Sequence, residues 1–292
     1  AGGASPARTA PAYGAAAGDG AAAANRTAAA GGARADGAAA DALRAALSPA
    51  DWLALPQQKL RSIIAGEVFH DGLGCEWVSG TGGSASPKTP GALGAVRDAL
   101  AWYPDDIWRY LLAAVWARLG QEEHLVGRAG QVDDELGARL IAARLVRDAM
   151  RLCLLAEREY APYPKWFGTA FSDLASARTM QPLLEATLAA TGWRARDRAL
   201  AAVYEALAGL HNSLAITAPM PERTTRFFGR PFHVLAIQGF SRAILDTIHE
   251  PWLTGFLREA PLGNVDLVSD NTELLEQTAF APALRHLLAG EP

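Results

Sequence analysis

Between Trp102 and Phe171 the chain carries two long runs whose apolar residues recur at helical spacing, WYPDDIWRYLLAAVWARLGQEEH and RLIAARLVRDAMRLCLLAEREYAPYPKWFGTAF. Each run places charged residues inside its own apolar stripe, and that limits how the two helices can pack. In the first, Ile107, Leu111, Ala114 and Val115 set the stripe, and Arg118 and Glu122 fall into it. They are four residues apart and so can pair on one face. In the second, Ile141, Leu145, Leu152 and Leu155 set the stripe, with Asp148 in its middle and Arg144 four residues before it. One flank carries Arg144, Arg147, Arg151 and Arg158, the other Val146, Met150 and Cys153. A helix apolar on several sides belongs at the centre of a fold. Asp105 or Asp106 is expected to cap the first helix and Asp133 or Asp134 the second, with Gly127 and Gly130 breaking the chain between them.

The rest of the chain reads as helices gathered around that pair. Residues 1–47 are mostly Ala and Gly, with Tyr13 as the one aromatic. Such a segment cannot bury enough apolar surface to offset its ordering entropy, so a disordered arm is expected, with transient helix near Asp41–Leu47. The helical domain is expected over residues 48–292. Ser48-Pro49 has the form of a helix start, placing Trp52, Leu53, Leu60, Ile63 and Ile64 toward the core with an interruption at Pro56. Gly72 and Gly74 would end that unit. Residues 79–91, SGTGGSASPKTPG, lack periodicity and read as a flexible inserted loop. Pro162 and Pro164 stop the second central helix, and Tyr160, Tyr163, Trp166, Phe167 and Phe171 form an aromatic knot around Lys165. Later helices are expected at Gln181–Ala190, Arg194–Ser213 and Val234–Ile248. No stretch alternates cleanly enough for a sheet. The expected fold class is an all-α multi-helix bundle.

Bulk properties exclude several functions. The net charge of −4 gives no general attraction to DNA or to an anionic membrane, and no apolar run is long enough to span one. Two cysteines, Cys75 and Cys153, cannot make a disulfide framework and fit a reducing cytoplasm. The N-terminal segment shows no basic start followed by a Leu-rich run, so it is not expected to act as a secretory signal, and a chain opening on Ala1 is expected of a processed or incomplete product. The loop at 79–91 lacks the GxxxxGK[ST] spacing of a phosphate-binding loop, and HExxH, CxxC and GxSxG are absent. His211 reads as a hydrogen-bonded core histidine.

What remains is the charge inside the stripes. An unpaired buried charge is very costly, so these residues must pair or meet a polar ligand. The candidate ligand-binding set is Glu122, Arg144, Arg147, Asp148, Arg151, Lys165 and Trp166. The arginines would take an anionic group, the acids would orient them, and Trp166 would stack. The competing reading is a satisfied interhelical ion network in a structural or protein-interaction module. A third reading rests on Arg followed within several residues by His, as in Arg118…His124, Arg226…His233 and Arg242…His249. That spacing resembles the motif of HEPN-type helical ribonucleases, and its triple occurrence shows how cheap it is.

The segments DWLALPQQKLRSIIAGEVFHDGLG, the block from Leu100 to Phe171, LAGLHNSL, FFGRPFHVL and NVDLVSD carry a family resemblance. Over most of residues 48–271 the chain resembles a bacterial family labelled domain of unknown function 4037. In such proteins the helical region usually follows a nucleotidyltransferase-like domain, so the resemblance implies a helical C-terminal module that helps hold a substrate. A nucleotidyltransferase needs a Gly-Ser turn and a D-x-D or D-x-E pair for Mg²⁺. Before Ser48 only the isolated Asp19, Asp36 and Asp41 occur, Gly83-Ser84 has no carboxylate pair behind it, and Asp105-Asp106 are adjacent. The chain is therefore expected to lack a catalytic centre and cofactor of its own. Mg²⁺ and nucleotide would enter only with a catalytic domain on another chain, and the expected partners are that domain or a small polar or anionic ligand.

Overall fold

The computed structural model describes residues 36–67, 92–253, 255–277, 279 and 281–288. Residues 1–35, Gly72, Gly74, Cys75 and the loop at 79–91 lie outside that set. The described elements are helices α1 (Asp36–Ala46), α2 (Pro49–Ala54), α3 (Gln57–Ile64), α4 (Ala92–Ala99), α5 (Asp105–Glu122), α6 (Leu125–Gln131) and α7 (Glu135–Ala156). They are followed by a 3-10 turn at Pro164–Trp166 and by α8 (Phe167–Ser172), α9 (Ala177–Ala189) and α10 (Trp193–Ser213). After a two-stranded ribbon come α11 (Gln238–Leu245), α12 (Gly255–Glu259), α13 (Val265–Val268), α14 (Thr272–Glu276) and α15 (Ala281–Leu288). The chain is all-α in class, as the periodicity implied.

Helices α5 and α7 are antiparallel partners at the centre. Trp108 at the start of α5 donates its indole N–H to the Leu155 carbonyl near the end of α7, at 2.7 Å. Near the other end Arg118 of α5 meets Asp148 of α7. α7 also packs on α6, α9 and α10, and α11 lies along α5, where Phe240 stacks on Trp116 at 4.4 Å. Almost every apolar side chain of α5 from Ile107 to Leu119 is buried, so this helix is covered on more faces than its single stripe implies.

The helix starts divide according to whether a side-chain acceptor reaches the first turn. Ser48 accepts from the Asp51 backbone N–H while Asp51 accepts from that of Ser48, a reciprocal capping box. Asp134 caps α7 by accepting from Gly137 N at 2.8 Å. Asp105 and Asp106, however, lie inside the first turn of α5, whose N-cap is Pro104 without a side-chain cap. Asp105 instead binds Arg109 and Arg158. The span expected as a disordered arm ends in helix α1, fixed to α4 by Arg44, which donates to the carbonyls of Ala99 and Trp102.

Other departures have equally local causes. Gly127 and Gly130 do not break the chain; both lie within α6. A Cβ on Gly127 would fall 2.2 Å from the Phe232 ring, and one on Gly130 would fall 2.0 Å from Trp193. These glycines are contact surfaces for aromatic rings, not helix breakers. Ile63 is 38% exposed, whereas Trp52, Leu53 and Leu60 are buried. The expected helix at Val234–Ile248 is shortened by a ribbon in which β1 (Thr225–Arg226) pairs antiparallel with β2 (His233–Val234). Two buried acids hold that ribbon. Glu123 accepts from the backbone N–H groups of Leu235 and Ile237, and Asp197 accepts from the backbone N and Nδ1 of His233. Burial raises the Glu123 pKa, and its backbone donors oppose that rise.

Candidate functional site

A cavity of about 260 Å³ opens between α3, α5, α7 and the C-terminal segment. Leu111 and Val115 of α5, Leu155 of α7, Phe167 and Leu275 give it apolar walls. Its polar lining comes from Gln57 and Gln58 of α3, Arg147 and Arg151 of α7, and Asn264, Asp266 and Asp270 around α13. Arg147 and Arg151 are four apart, so the helix stacks them on one face. The α13 segment lies flush against α5 because Gly263, at φ +84°, leaves no Cβ; one there would fall 2.3 Å from Leu267 and 3.2 Å from Ala114.

The charges form a continuous chain. Arg118 Nε donates to Asp148 Oδ2 at 2.7 Å and its Nη1 to the Leu267 carbonyl at 2.9 Å. Asp148, 1% exposed, accepts through its other oxygen from Arg151 at 3.1 Å. Arg151 then reaches Asp270 Oδ1 at 3.4 Å, and Arg147 Nη2 reaches Asp270 Oδ2 at 2.8 Å. Desolvation lowers the Arg151 pKa and Asp148 works against it. Burial also pushes the Asp270 carboxyl up, but the hydrogen bond and charge of Arg147, with Arg151 behind, outweigh it and leave the pKa below normal. At the inner wall Asp266 Oδ2 accepts from Gln57 N and Asn264 Nδ2, both at 3.0 Å. Desolvation nevertheless raises its pKa to about 6.

Two polar atoms of this lining are left over. Asn264 is fully buried and its Oδ1 has no hydrogen-bond partner, and neither has the buried Nε of Arg147. Buried polar groups are normally satisfied, and an unsatisfied one in a cavity wall marks a place where a ligand or ordered water completes the bonding. The lining contains no Ser, Cys or His, and among the described residues no cluster of three or more His, Cys, Asp or Glu is arranged to hold a metal. The lining offers an unpaired donor and acceptor, two guanidinium groups, the carboxyl groups of Asp266 and Asp270, and apolar walls.

The residues singled out in the sequence fall into three places. Arg147 and Arg151 line the cavity, and Asp148 stands behind them. Glu122 and Arg144 pair with each other at 2.5 Å, farther along the α5–α7 contact and outside the cavity lining. Trp166, 54% exposed, lines a neighbouring open groove of about 500 Å³ with Lys59, Arg61 and Tyr163, and Lys165 sits over its ring at 4.8 Å. The aromatic knot is thereby split, since Tyr160 and Phe171 are buried in the core. Arg118 and Glu122, expected to pair with each other, instead each bond across to α7. None of the three Arg/His spacings lines the cavity. Arg118 is committed to Asp148, His233 to Asp197, and Arg242 to Asp246. Asn264, Asp266 and Asp270 were missed as site residues, although all three stand in the NVDLVSD segment that carries the resemblance.

Residues 76–167 match the model of the family described as Domain of unknown function (DUF4037). That stretch contains α4 to α7 and the turn after them, and it supplies the arginine-bearing wall of the cavity. No match was found among curated proteins or solved structures.

Proposed function

We propose that the chain is a small-molecule recognition module serving as the substrate-holding, accessory half of a nucleotidyltransferase-like system. The carrying observation is the pair of unsatisfied buried atoms in the cavity lining, Asn264 Oδ1 from the α13 segment and Arg147 Nε from α7. An enclosed, mostly apolar pocket with a few convergent polar groups is the usual form of a ligand site. In this reading the catalytic Gly-Ser turn, paired acids, Mg²⁺ and nucleotide come from another polypeptide, in a reducing cytoplasm that keeps the buried Cys153 thiol free. The family resemblance supports that division of labour. No described helix is long and apolar enough to cross a membrane.

A second reading draws support from the continuous chain of ion pairs from Arg118 to Arg147, which would equally fix helix register in a structural module. Thermal unfolding of the whole chain with amino sugars, small anions, and nucleoside triphosphates with and without Mg²⁺ separates the two. A ligand at 100 times its dissociation constant adds about 2.7 kcal/mol of stability. The recognition reading expects a shift from an acceptor-type ligand that Arg147→Ala and Arg151→Ala abolish. A Mg²⁺-dependent nucleotide shift would overturn the accessory assignment, and silence across the panel would leave the structural module.

A further inference from the structure

Asp270 occupies the position that an anionic ligand would take. It lies at the cavity mouth between α13 and α14, with its side chain 59% exposed, and it bridges the two guanidinium groups. Arg147 and Asp270 keep 36% and 59% of their side chains exposed, and an ion pair this exposed contributes little; the contact to the more buried Arg151 is long at 3.4 Å, so displacing the carboxylate is cheap. Arg147 is also only half used: its Nη2 donates to Asp270 while the adjacent Nε, pointing from the same planar fork, has no acceptor. A guanidinium binds an oxyanion best through two parallel N–H groups, and a group with three peripheral oxygens can fill both while reaching Arg151.

Building on the recognition reading, we infer that Asp270 is a built-in competitor, and that the cavity's ligand carries a phosphate- or sulfate-like oxyanion that replaces its carboxylate on Arg147 and Arg151. The ligand's body would lie against Leu111, Leu155 and Phe167, with a hydrogen-bond donor toward Asn264 Oδ1. Once displaced, Asp270 leaves the arginine pair for solvent, so the segment joining α13 to α14 reports occupancy.

The test titrates sulfate and inorganic phosphate into the full chain at constant ionic strength while following the Arg Nε–H signals by ¹⁵N NMR. Wild type, Asp270→Asn and Asp270→Ser are compared, the second replacement guarding against an effect peculiar to one side chain. The half-saturating concentration should fall about fivefold or more in both variants, as expected when one or two exposed ion pairs no longer compete. The Arg147 Nε–H signal should move in all three proteins, and Arg147→Gln should abolish the saturable shift of the Arg151 signal. Equal affinity in wild type and both variants overturns the competitor role. An Arg147 signal unmoved by either anion in any of the proteins removes the oxyanion site. If an amino sugar from the thermal panel still stabilises the chain in that case, the recognition reading survives without this inference.

Discussion

Gly130 and Trp193 meet so closely that a Cβ added to the glycine would lie 2.0 Å from the root of the indole ring, at Cγ. The contact joins α6 to the first residue of α10, and the ring cannot swing aside at its attachment point without moving the helix. Gly130→Ala should therefore destabilise the protein by about 3 kcal/mol, at the upper end of overpacking costs. Gly168→Ala is the control, since a Cβ there meets nothing within 4 Å. It should be neutral or stabilising by up to about 1 kcal/mol through helix propensity. Urea unfolding of both variants against wild type measures the difference.

Asp148 should be the most sensitive charge in the protein. It is buried under two arginines, and its removal leaves Arg118 and Arg151 facing each other without their shared anion. Asp148→Asn should cost about 3 kcal/mol or more, as expected when one partner of a buried ion pair is lost. Arg242→Ala, which removes one side of a pair with more than half of each side chain in solvent, should cost under about 0.5 kcal/mol. Equal losses in the two variants would mean that Asp148 is not holding the helices together.

His211 makes the fold acid-sensitive. Thr217 Oγ1 donates to the Ala218 carbonyl, so its contact with His211 Nε2 at 2.9 Å requires the imidazole to be the donor there. Nδ1 is buried without a partner, and burial lowers the pKa to about 4. The unfolded chain takes up this proton near 6.5 and the folded chain only near 4, so the stabilisation is complete above 6.5 and is lost as pH falls toward 4. The loss at pH 5 relative to pH 7 should be about 2 kcal/mol. Asp266, raised to about 6, acts in the opposite sense: the folded chain binds its proton first, which favours folding as pH falls below 6. Comparing His211→Asn with wild type in urea at pH 7 and pH 5 separates the two, because only the histidine contribution disappears.

The central pair of helices was legible because two long apolar periodicities survive the charges embedded in them. The pairing of those charges was not. Arg118 and Glu122 are neighbours at i,i+4, but packing turns each toward α7, where Asp148 and Arg144 offer partners across the interface. The glycines of α6 misled for a related reason. Their sequence signature is that of a break, while their role is set by Phe232 and Trp193, roughly 60 to 100 residues away in the chain. Half of the cavity was visible as Arg147 and Arg151 on one helical face. The other half, Asn264, Asp266 and Asp270, lies around a one-turn helix whose four residues are too few to show periodicity.

The cavity closes through contacts between opposite ends of the described chain. Gln57 N reaches Asp266 across 209 residues of sequence, and Gln58 reaches the Leu275 carbonyl across 217. Pairing segments this far apart is slow and can happen only after both have been synthesised. Helices α5 to α7 can meet early through contacts between near neighbours, but the polar wall that Asn264 and Asp266 contribute arrives more than 100 residues later. A molecule cut before Gly263 would carry the arginines without the polar wall that completes their pocket, so the binding proposed for that pocket should be lost from it.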